Sequence, residues 1–344
     1  MVNTVELQCA LAKIDRPKIL VIGDIISDIY IDGMISRISR EAPVLILEQQ
    51  TQRTVLGGAA NAAHNLATLA GEVYLAGIIG LDSVGREMLE LLSAKGINSQ
   101  WIYQSRVLPT CTKTRILAAA EHGVRQQMLR VDRTPQGELE GEGWSFFQER
   151  LFAAIQVVDG IHISDYGLPL LSGLFRQELL DMATQAHKLV LVDSHQIAGY
   201  QGATIVTPNL EEASRFVGYS IRNLSQLEDA GREILTSLHC QAVLITRGPE
   251  GMSLFLPDGA IHHLPVYNKS EVVDVSGAGD TVASMMILGL TSGLDFLTAA
   301  SLANIAAGIV VRKMGTATLN RDELRMELGF PQTKAAVEHA DLSR

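Results

Sequence analysis

The sequence predicts an α/β protein in which helices flank a doubly wound, mostly parallel β-sheet, with a small second sheet acting as a lid. From about residue 144 onward, strand-length and helix-length apolar segments alternate, as they do in repeating βα units. Residues 18–23 contain a run of apolar side chains, which is typical of a parallel strand buried on both faces. Segments near 29–55 and 110–131 instead alternate apolar with polar residues, so they predict the half-exposed lid.

The individual elements follow from the apolar runs and from the glycines that end them. Residues 1–16 predict a leader helix or a frayed end, and residues 331–344 predict a polar tail after a single domain over 1–330. The predicted elements, in order, are strand 18–23, strands 29–36 and 43–55, helix 59–70, strand 73–79, a helix ending at 95, hairpin 110–118/124–131, strand 157–163, helix 170–187, strands 188–193 and 203–206, helices 210–217 and 225–238, strand 242–246, hairpin 252–266, strand 272–275, and helices 280–294 and 297–312.

Composition narrows the class of protein. The chain has 344 residues, 47% hydrophobic and 19% charged, which suits one large or two small globular domains. A net charge of −10 without a long basic run argues against a nucleic-acid partner. Cys9, Cys111 and Cys240 are far apart and show no metal-binding spacing. The N-terminus lacks a secretory apolar region, and the longest apolar run, Val282–Leu294, is too short to span a membrane, so we expect a cytoplasmic protein.

The stretch from Val272 to Val282 carries the strongest chemical signal. A predicted strand ends here and a predicted buried helix begins, which places Gly277-Ala278-Gly279 at a helix N-terminus. Free backbone N–H groups and the helix dipole attract anions at such a position. Asp280 follows at once and can accept a proton from a hydroxyl, so the loop suits phosphoryl transfer. The alternative is an ordinary Gly-rich turn whose first-turn acid compensates the helix dipole.

Two familiar nucleotide-binding loops do not fit this stretch. A Walker A loop needs Gly-Lys followed by Ser or Thr, and the chain contains no Gly-Lys pair. A dinucleotide fingerprint needs a third glycine where Val282 stands. Phosphate would therefore be bound by a different kind of loop.

Together with two further motifs, this loop resembles the ribokinase-like sugar kinases of the PfkB family. The motifs are Gly57-Gly-Ala-Ala-Asn61 with its helix, Asn209-Leu-Glu-Glu212, and Asp274-Val-Ser-Gly-Ala-Gly-Asp-Thr281. They occur in the family's order within residues 18 to about 320. The resemblance implies a ribokinase-like fold and the ATP-dependent phosphorylation of a sugar hydroxyl, with Mg²⁺ as cofactor.

Within that family, the chain is most similar to the heptose 7-phosphate kinase module of ADP-heptose synthesis. Ser36–Val44 and Thr110–Arg115 resemble two of its characteristic stretches. The chain departs from it after Ser164-Asp-Tyr166, where Gly167-Leu-Pro169 replaces Ala-Lys-Gly. It also departs at Val192-Asp-Ser-His195, which replaces Val-Asp-Pro-Lys, so two lysines near the phosphates are absent. The chain ends where that module ends, so no fused nucleotidyltransferase is expected.

The resemblance also implies catalytic and cation-binding roles. Asp280 is expected to be the base, and the amides of Gly277, Ala278 and Gly279 are expected to form the anion hole. Asp274 matches a family position that binds a monovalent cation, which makes K⁺ an expected cofactor. A solvated carboxylate at a strand end is the alternative for Asp274.

Sugar hydroxyls are expected at the end of the first strand. Carboxylates and an amide can pair with hydroxyls, and glycines let the backbone approach a sugar ring. A helix cap is the alternative for Asp24. The expected sugar-binding residues are Asp24, Asp28, Gly57, Gly58 and Asn61.

The nucleotide is expected along the other strand ends. Asn209 and Glu212 lie one helical turn apart and would position Mg²⁺ through water, although Asn209 also suits a simple helix cap. Thr246, Arg247 and Gly248 should lie along the phosphates. Asn304 should contact adenine, or else be a plain buried helix asparagine.

Basic residues of the predicted lid suggest a phosphorylated substrate. Arg37, Arg40, Lys113 and Arg115 could clamp a phosphate already present on the sugar, or could lie on a solvated sheet face. The favoured function is phosphorylation of D-glycero-D-manno-heptose 7-phosphate to the 1,7-bisphosphate. Another PfkB-type kinase of ribose, fructose 1-phosphate or a nucleoside, or a weakly active ligand-sensing module, are the alternatives. We expect a small-molecule substrate, no nucleic acid, no membrane and a homodimer formed through the lid.

Overall fold

The chain alternates helices and strands along most of its length. A computed structural model describes residues 2–69, 71–119, 124–137, 141–171, 173, 175–267, 272–315 and 317–330. In the first half, the elements are α1 (Thr4–Lys13), β1 (Lys18–Gly23), β2 (Ile25–Ile38), β3 (Leu45–Gly58), α2 (Ala59–Thr68), β4 (Glu72–Gly80), α3 (Ser83–Ala94), β5 (Asn98–Ser105), β6 (Cys111–Ala119), β7 (Gln126–Arg133) and α4 (Gly141–Gln156). They continue with β8 (Gly160–Asp165), α5 (Phe175–Gln185), β9 (Leu189–Ser194), β10 (Ile205–Val206), α6 (Leu210–Val217), α7 (Leu224–Leu238), β11 (Ala242–Thr246), β12 (Met252–Phe255), β13 (Ile261–Leu264), α8 (Ala278–Thr291), α9 (Phe296–Val310) and α10 (Arg321–Glu327).

The larger sheet has the strand order β13-β12-β11-β10-β9-β8-β1-β4-β5. The neighbours from β11 through β10, β9, β8, β1 and β4 to β5 pair in parallel. β12 and β13 pair antiparallel at the other edge. From β1 the chain winds outward through β4 to β5, and then returns to the other side of β1 as β8. The winding direction therefore reverses between β1 and β8. In open α/β sheets, ligands bind at the carboxyl ends of the strands at such a switch point.

Separate helical layers cover the two faces of this sheet. One face packs against α1, α2, α3, α8, α9 and α10, with Leu66 and Met286 fully buried between them. The opposite face packs against α4 to α7, and Phe147 and Leu179 are buried there. Both faces of β1 and β8 are therefore withdrawn from water, which explains the unbroken apolar run of β1.

The second sheet, here called the lid sheet, has the strand order β3-β2-β6-β7. β2 pairs antiparallel with β3 and parallel with β6, and β6 pairs antiparallel with β7. Only Asp24 separates β1 of the large sheet from β2 of the lid sheet. The predicted fold class, a mostly parallel sheet between helices with a small separate sheet, is confirmed.

The prediction of a strand at 272–275 is wrong. Val272, Val273 and Val275 lie outside both sheets and are each more than half exposed. The amides of Val273 and Asp274 both donate to the carbonyl of Val311, just after α9, so the segment is tied to a helix end. Its β-branched residues favour extended backbone, but no neighbouring strand is available to pair with it.

Other elements were missed or displaced. The edge strand β5 and the helix α4 were not predicted, because five of the eight residues of β5 are polar and α4 begins with glycines. The predicted helix 170–187 is instead a short 3₁₀ turn at Pro169–Leu171 and then α5. The hairpin turn at 121–123 and the tail at 331–344 lie outside the described residues, and the boundary at 330 stays a prediction. In the described part of the chain, no helix is long and apolar enough to cross a membrane.

Candidate active site

The N-terminus of α8 forms a backbone anion cradle. Gly277 precedes the helix with φ +80°, a left-handed conformation that a side chain would strain. Gly279 lies in the first turn, and among the described residues no atom outside its own helix turn stands within 4 Å of the place where its Cβ would be. The Ala278 amide donates to the Val275 carbonyl at 3.3 Å, whereas the amides of Gly277 and Gly279 have no backbone acceptor among the described residues. These two amides are therefore available to an anion.

Asp280 is buried in that first turn. Its Oδ2 accepts a hydrogen bond from Asn61 Nδ2 at 2.5 Å, and its Oδ1 lies 3.5 Å from the Tyr166 hydroxyl. Burial raises the pKa of Asp280 to about 6, although these two hydrogen bonds oppose the shift. A carboxylate with a pKa close to neutral is suited to accept and release a proton.

Asp24 lies in the switch-point crevice between β1 and β8. Its Oδ2 accepts hydrogen bonds from the amides of Tyr166 at 2.8 Å and Leu168 at 3.1 Å. Asp165 accepts the amide of Gly167 between them, so two buried carboxylates hold the whole loop. Burial raises the pKa of Asp24 to about 6. The side chain therefore anchors a loop instead of capping a helix.

Two glycines let the lid sheet approach the large sheet closely. At Gly57, a Cβ atom would lie 2.3 Å from Asp28 Oδ2, and at Gly58, which has φ +56°, it would lie 2.3 Å from the Asp24 carbonyl. The amide of Ala59 donates to the same carbonyl at 2.9 Å, which fixes the start of α2. The glycines bring Asp24, Asp28 and, one turn along α2, Asn61 to one place.

Two cationic side chains of β6, Lys113 and Arg115, lie next to Asp24, Asp28 and Asn61. Arg115 Nη1 binds Asp28 Oδ1 at 2.5 Å, and Lys113 Nζ lies 5.0 Å from the ring centre of Tyr166. In the described part of the chain, Lys113 has no ion-pair partner. Arg37 does not join them, because it lies nine residues beyond Asp28 on β2, roughly 30 Å along an extended strand. Arg40 lies farther still, in the bend after β2.

Asn209 and Glu212 form a capping box at the start of α6. Asn209 Oδ1 accepts the amides of Glu211 and Glu212, and Glu212 Oε2 accepts the Asn209 amide, all at 2.9 Å. Glu212 Oε1 lies 2.6 Å from His195 Nδ1, and this hydrogen bond raises the pKa of His195. Asn209 is thus occupied as a helix cap, while the Glu212 carboxylate keeps lone pairs for water.

The other predicted nucleotide residues are dispersed along the same edge. Thr246 ends β11, and Arg247 turns back on its own loop to contact Glu250 at 3.2 Å. Gly248 has φ +55° and borders open space. Asn304 on α9 donates to the Pro265 carbonyl at 2.7 Å, so it links the helix to the segment after β13.

Asp274 ties the segment before the cradle to the chain after α9. Its Oδ1 accepts the Ser276 amide at 2.9 Å and its Oδ2 accepts the Gly315 amide at 3.0 Å. The hydrogen bond from Ser276 leads the causes that lower the pKa of Asp274. The carboxylate is therefore ionised and partly exposed, but it does not end a strand.

Three site residues had no predicted role. Tyr166 lies beside Asp280, His195 packs edge-on against the Tyr166 ring at 5.2 Å, and Asp193 is the next-to-last residue of β9. Loss of solvation, reinforced by the charges of Asp280 and Glu212, raises the pKa of Asp193 to about 8. All three lie at or just after the end of a buried strand, which is the signal that could have found them. Among the described residues, no cluster of three or more His, Cys, Asp or Glu forms a metal site.

Comparisons with known proteins identify the family of this chain. A family model described as "pfkB family carbohydrate kinase" matches residues 16–323. The bifunctional protein HldE of Desulfatibacillum aliphaticivorans is 38% identical over 313 residues, which cover 90% of this chain and 63% of that protein. The HldE of Geotalea uraniireducens is 36% identical over 348 residues, covering 98% and 68%. The chain spans 63% of the length of the first curated relatives.

Two solved structures share the fold. The ribokinase of Arabidopsis thaliana complexed with ribose and ATP gives a TM-score of 0.73 at 19% identity, covering 92% of this chain and 100% of the other. Phosphofructokinase-2 of Escherichia coli in complex with potassium gives 0.73 at 17% identity, covering 91% and 98%. At this level of identity, the likeness establishes the fold alone.

Proposed function

The chain belongs to the pfkB family of carbohydrate kinases, and we propose that it transfers the γ-phosphoryl group of ATP to D-glycero-D-manno-heptose 7-phosphate. The product would be heptose 1,7-bisphosphate. The observation that carries the proposal is the buried Asp280 carboxylate beside the amides of Gly277, Ala278 and Gly279. A base next to an anion cradle is the arrangement that phosphoryl transfer to a hydroxyl needs.

The chain's own groups divide the chemistry between them. Asp280 accepts the proton of the attacking hydroxyl, and Asn61 orients its carboxylate by the 2.5 Å hydrogen bond. The first-turn amides of α8 stabilise the charge that develops on the transferred phosphoryl group. Asp24 and Asp28 hold other hydroxyls of the acceptor. Because Asp24 is held by the 166–168 loop, its position does not depend on the substrate.

ATP fits the remaining edge of the cradle. Gly279 leaves room for phosphate oxygens, and the exposed side chains of Val272, Val273 and Val275 supply an apolar surface of the kind that binds a base. We assign Thr246, Arg247 and Gly248 to the phosphates and Asn304 to the adenine side.

Two cations would assist the transfer. Mg²⁺ screens the phosphate charges when bound, and Glu212 would hold it through water, since Asn209 Oδ1 already accepts two amides. K⁺ would be held beside Asp274, whose carboxylate orders the segment before the cradle. Activity should therefore be higher in KCl than in tetramethylammonium chloride at equal ionic strength. Equal activity across a full titration would contradict the K⁺ site.

The identity of the acceptor sugar is the most specific part of the proposal. The resemblance of Ser36–Val44 and Thr110–Arg115 to the heptose 7-phosphate kinase module, and the identity to HldE proteins, support a heptose phosphate. Lys113 supports it independently, because it brings a cation without an ion-pair partner among the described residues next to Tyr166 and the acceptor site. A neutral sugar would leave that charge without a function.

We also propose that two copies associate through the lid sheet. The lid face opposite Asp28 and Lys113 is apolar across three strands, and Leu129 and Val131 are each about half exposed. A second copy offers the same face, and paired copies would cover both. Leu129→Glu with Val131→Glu should convert a dimer into a monomer in sedimentation measurements. A monomeric wild type would reject this association.

ATP turnover with a panel of acceptors tests the function. Heptose 7-phosphate should give the highest kcat/KM, ahead of free heptose, fructose 1-phosphate, ribose and nucleosides. If ribose or a nucleoside gives the highest value, the chain is another sugar kinase of the family. If every acceptor gives background turnover while ligands still bind, it is a sensing module.

A further inference from the structure

One face of the lid sheet carries a row of side chains that crosses all four of its strands. Tyr30 of β2 is in register with Arg53 of β3 and with Arg115 of β6, and Arg115 is in register with Arg130 of β7. The Arg53 and Arg115 guanidinium carbons lie 4.4 and 5.3 Å from the Tyr30 ring centre. We call Arg53, Tyr30, Arg115 and Arg130 the arginine row.

The arginine row shares its face with the acceptor site. Side chains two residues apart on a strand point to the same side of a sheet. Asp28 and Lys113 precede Tyr30 and Arg115 by two residues, and they contact the active site through Gly57 and Tyr166. The arginine row therefore lies one step, about 7 Å, farther from Asp280 along the same surface.

The charges of this face do not cancel. Arg115 is paired with Asp28 and Arg130 with Asp132, while Arg53 and Lys113 have no ion-pair partner among the residues that the structure describes. Asp32, two residues beyond Tyr30 on β2, is paired with Arg125. The five cations therefore exceed the three carboxylates by two charges in a protein whose net charge is −10. Stacking on Tyr30 orients the Arg53 guanidinium without using its N–H groups, which remain free to donate.

We propose that the arginine row binds a phosphate group carried by the acceptor at the end opposite the hydroxyl that is phosphorylated. The ligand class is a phosphate monoester of a chain long enough to reach from Asp280 past Lys113 to Arg53 and Arg115. This deepens the proposed function and rests on it, and it replaces Arg37 and Arg40 as the distant phosphate contacts. Guanidinium forks match the geometry of phosphate oxygens, so the row selects phosphorylated acceptors over free sugars.

The test compares phosphorylated and free forms of the same sugar. Arg53→Gln and Arg130→Gln, singly and together, should raise the KM for heptose 7-phosphate about tenfold each, because each removes a charge-assisted contact. The KM for free heptose, the KM for ATP and kcat should change less than about twofold. Tyr30→Leu keeps every charge but removes the stacking surface, and it should raise the same KM. Arg86→Gln, an exposed arginine on α3, controls for the loss of one charge.

The outcomes separate this inference from the proposed function. If the double variant keeps the wild-type preference for the phosphorylated acceptor, the row does not bind phosphate, whatever the enzyme's activity. Calorimetric binding of heptose 7-phosphate without ATP gives a second readout. Tight binding that the double variant loses, in a protein that transfers no phosphoryl group, would uphold the row and reject the kinase reaction. Equal weakening by Arg86→Gln would show a general charge effect and overturn the inference.

Discussion

Asp280 brings together two properties that an ordinary surface carboxylate lacks. Its burial favours the protonated form, while the hydrogen bonds from Asn61 and Tyr166 favour the ionised form. The balance leaves the pKa at about 6, so most Asp280 side chains are ionised at pH 7 and still bind a proton well. Asp280→Asn should lower kcat by about 10²–10⁴ and leave the Kd for ATP nearly unchanged. Single-turnover rates and calorimetry measure the two effects, and wild-type turnover in the folded variant would reject the base.

Tyr166 should set the acid limb of the pH–rate profile. Its hydroxyl stabilises the ionised form of Asp280, so Tyr166→Phe should raise the pKa of that base. Activity would then be lost at higher pH than in the wild type, where the loss is centred near pH 6. The kcat–pH curves of wild type and variant show this directly. Tyr103→Phe, remote on β5, is a matched control, and identical acid limbs for all three proteins would contradict the role.

Single residues were predictable where a motif fixes them, and less so where tertiary contacts do. Gly277 and Asp280 follow from helix-terminus chemistry. The Asn61–Asp280 contact joins residues far apart in sequence, and only a family resemblance could suggest it. Asn209 had two predicted uses, and the structure shows the cap because its backbone neighbours supply the donors locally.

At the scale of one element, the two glycines at the start of α8, Gly277 and Gly279, should behave differently. Gly277→Ala should destabilise the fold by about 1–2 kcal/mol, because φ +80° strains any side chain. Gly279→Ala should leave the free energy of unfolding unchanged or raised by up to about 1 kcal/mol, because alanine favours helix. Its methyl group would still enter the space assigned to phosphate and raise the KM for ATP. Urea unfolding and steady-state kinetics separate the two results, and an unaffected KM in Gly279→Ala would reject the cradle.

Elements were best predicted where burial makes their pattern unambiguous. Helix α6 and strand β11 match the predicted bounds, because glycines, caps and apolar runs coincide there. The segment 272–275 failed since a β-branched run specifies extended backbone but not a pairing partner. Strand β5 was missed because most of its residues are polar, as is usual for an edge strand that borders water.

At the scale of the whole molecule, three carboxylates with raised pKa values should make stability fall as pH rises. Asp24, Asp280 and Asp193 have pKa values of about 6, 6 and 8, above the value of 3.8 for an unfolded aspartate. The folded state therefore holds their protons more tightly, and this stability is complete below pH 4 and lost between pH 4 and 8. Asp280→Asn should raise the free energy of unfolding at pH 8 by at most about 3 kcal/mol.

Urea unfolding at pH 5 and pH 8 measures this effect. The stabilisation by Asp280→Asn should be larger at pH 8 than at pH 5. Asp229→Asn, at an exposed position of α7, should show no such difference. A variant that is equally stable relative to wild type at both pH values would contradict the assigned pKa shift.

The fold class could be predicted from strand and helix alternation, but the strand order could not. Alternation indicates that strands are parallel, whereas order depends on which crossover passes over which neighbour. The positions of the basic residues of the lid could not be predicted from the sequence either. Arg37 and Arg115 look equivalent in sequence, yet β2 is long enough to carry one of them away from the site that the other reaches.

Asp24, the single residue between the two sheets, has a consequence for the hydrolysis of ATP in the absence of an acceptor. Asp24 joins β1 to β2, and Gly57-Gly58 returns the chain from β3 to α2, so two of the four connections between the lid sheet and the rest of the chain are made of acceptor-site residues. The lid sheet cannot swing without disturbing the place where the acceptor binds. A bound acceptor would therefore hold the lid closed and keep water from the nucleotide, whereas an empty site would leave the lid sheet free to move. We expect ATP hydrolysis to be slow when no sugar is present. The rate of phosphate release without an acceptor would measure how strongly the movement of the lid sheet depends on the acceptor.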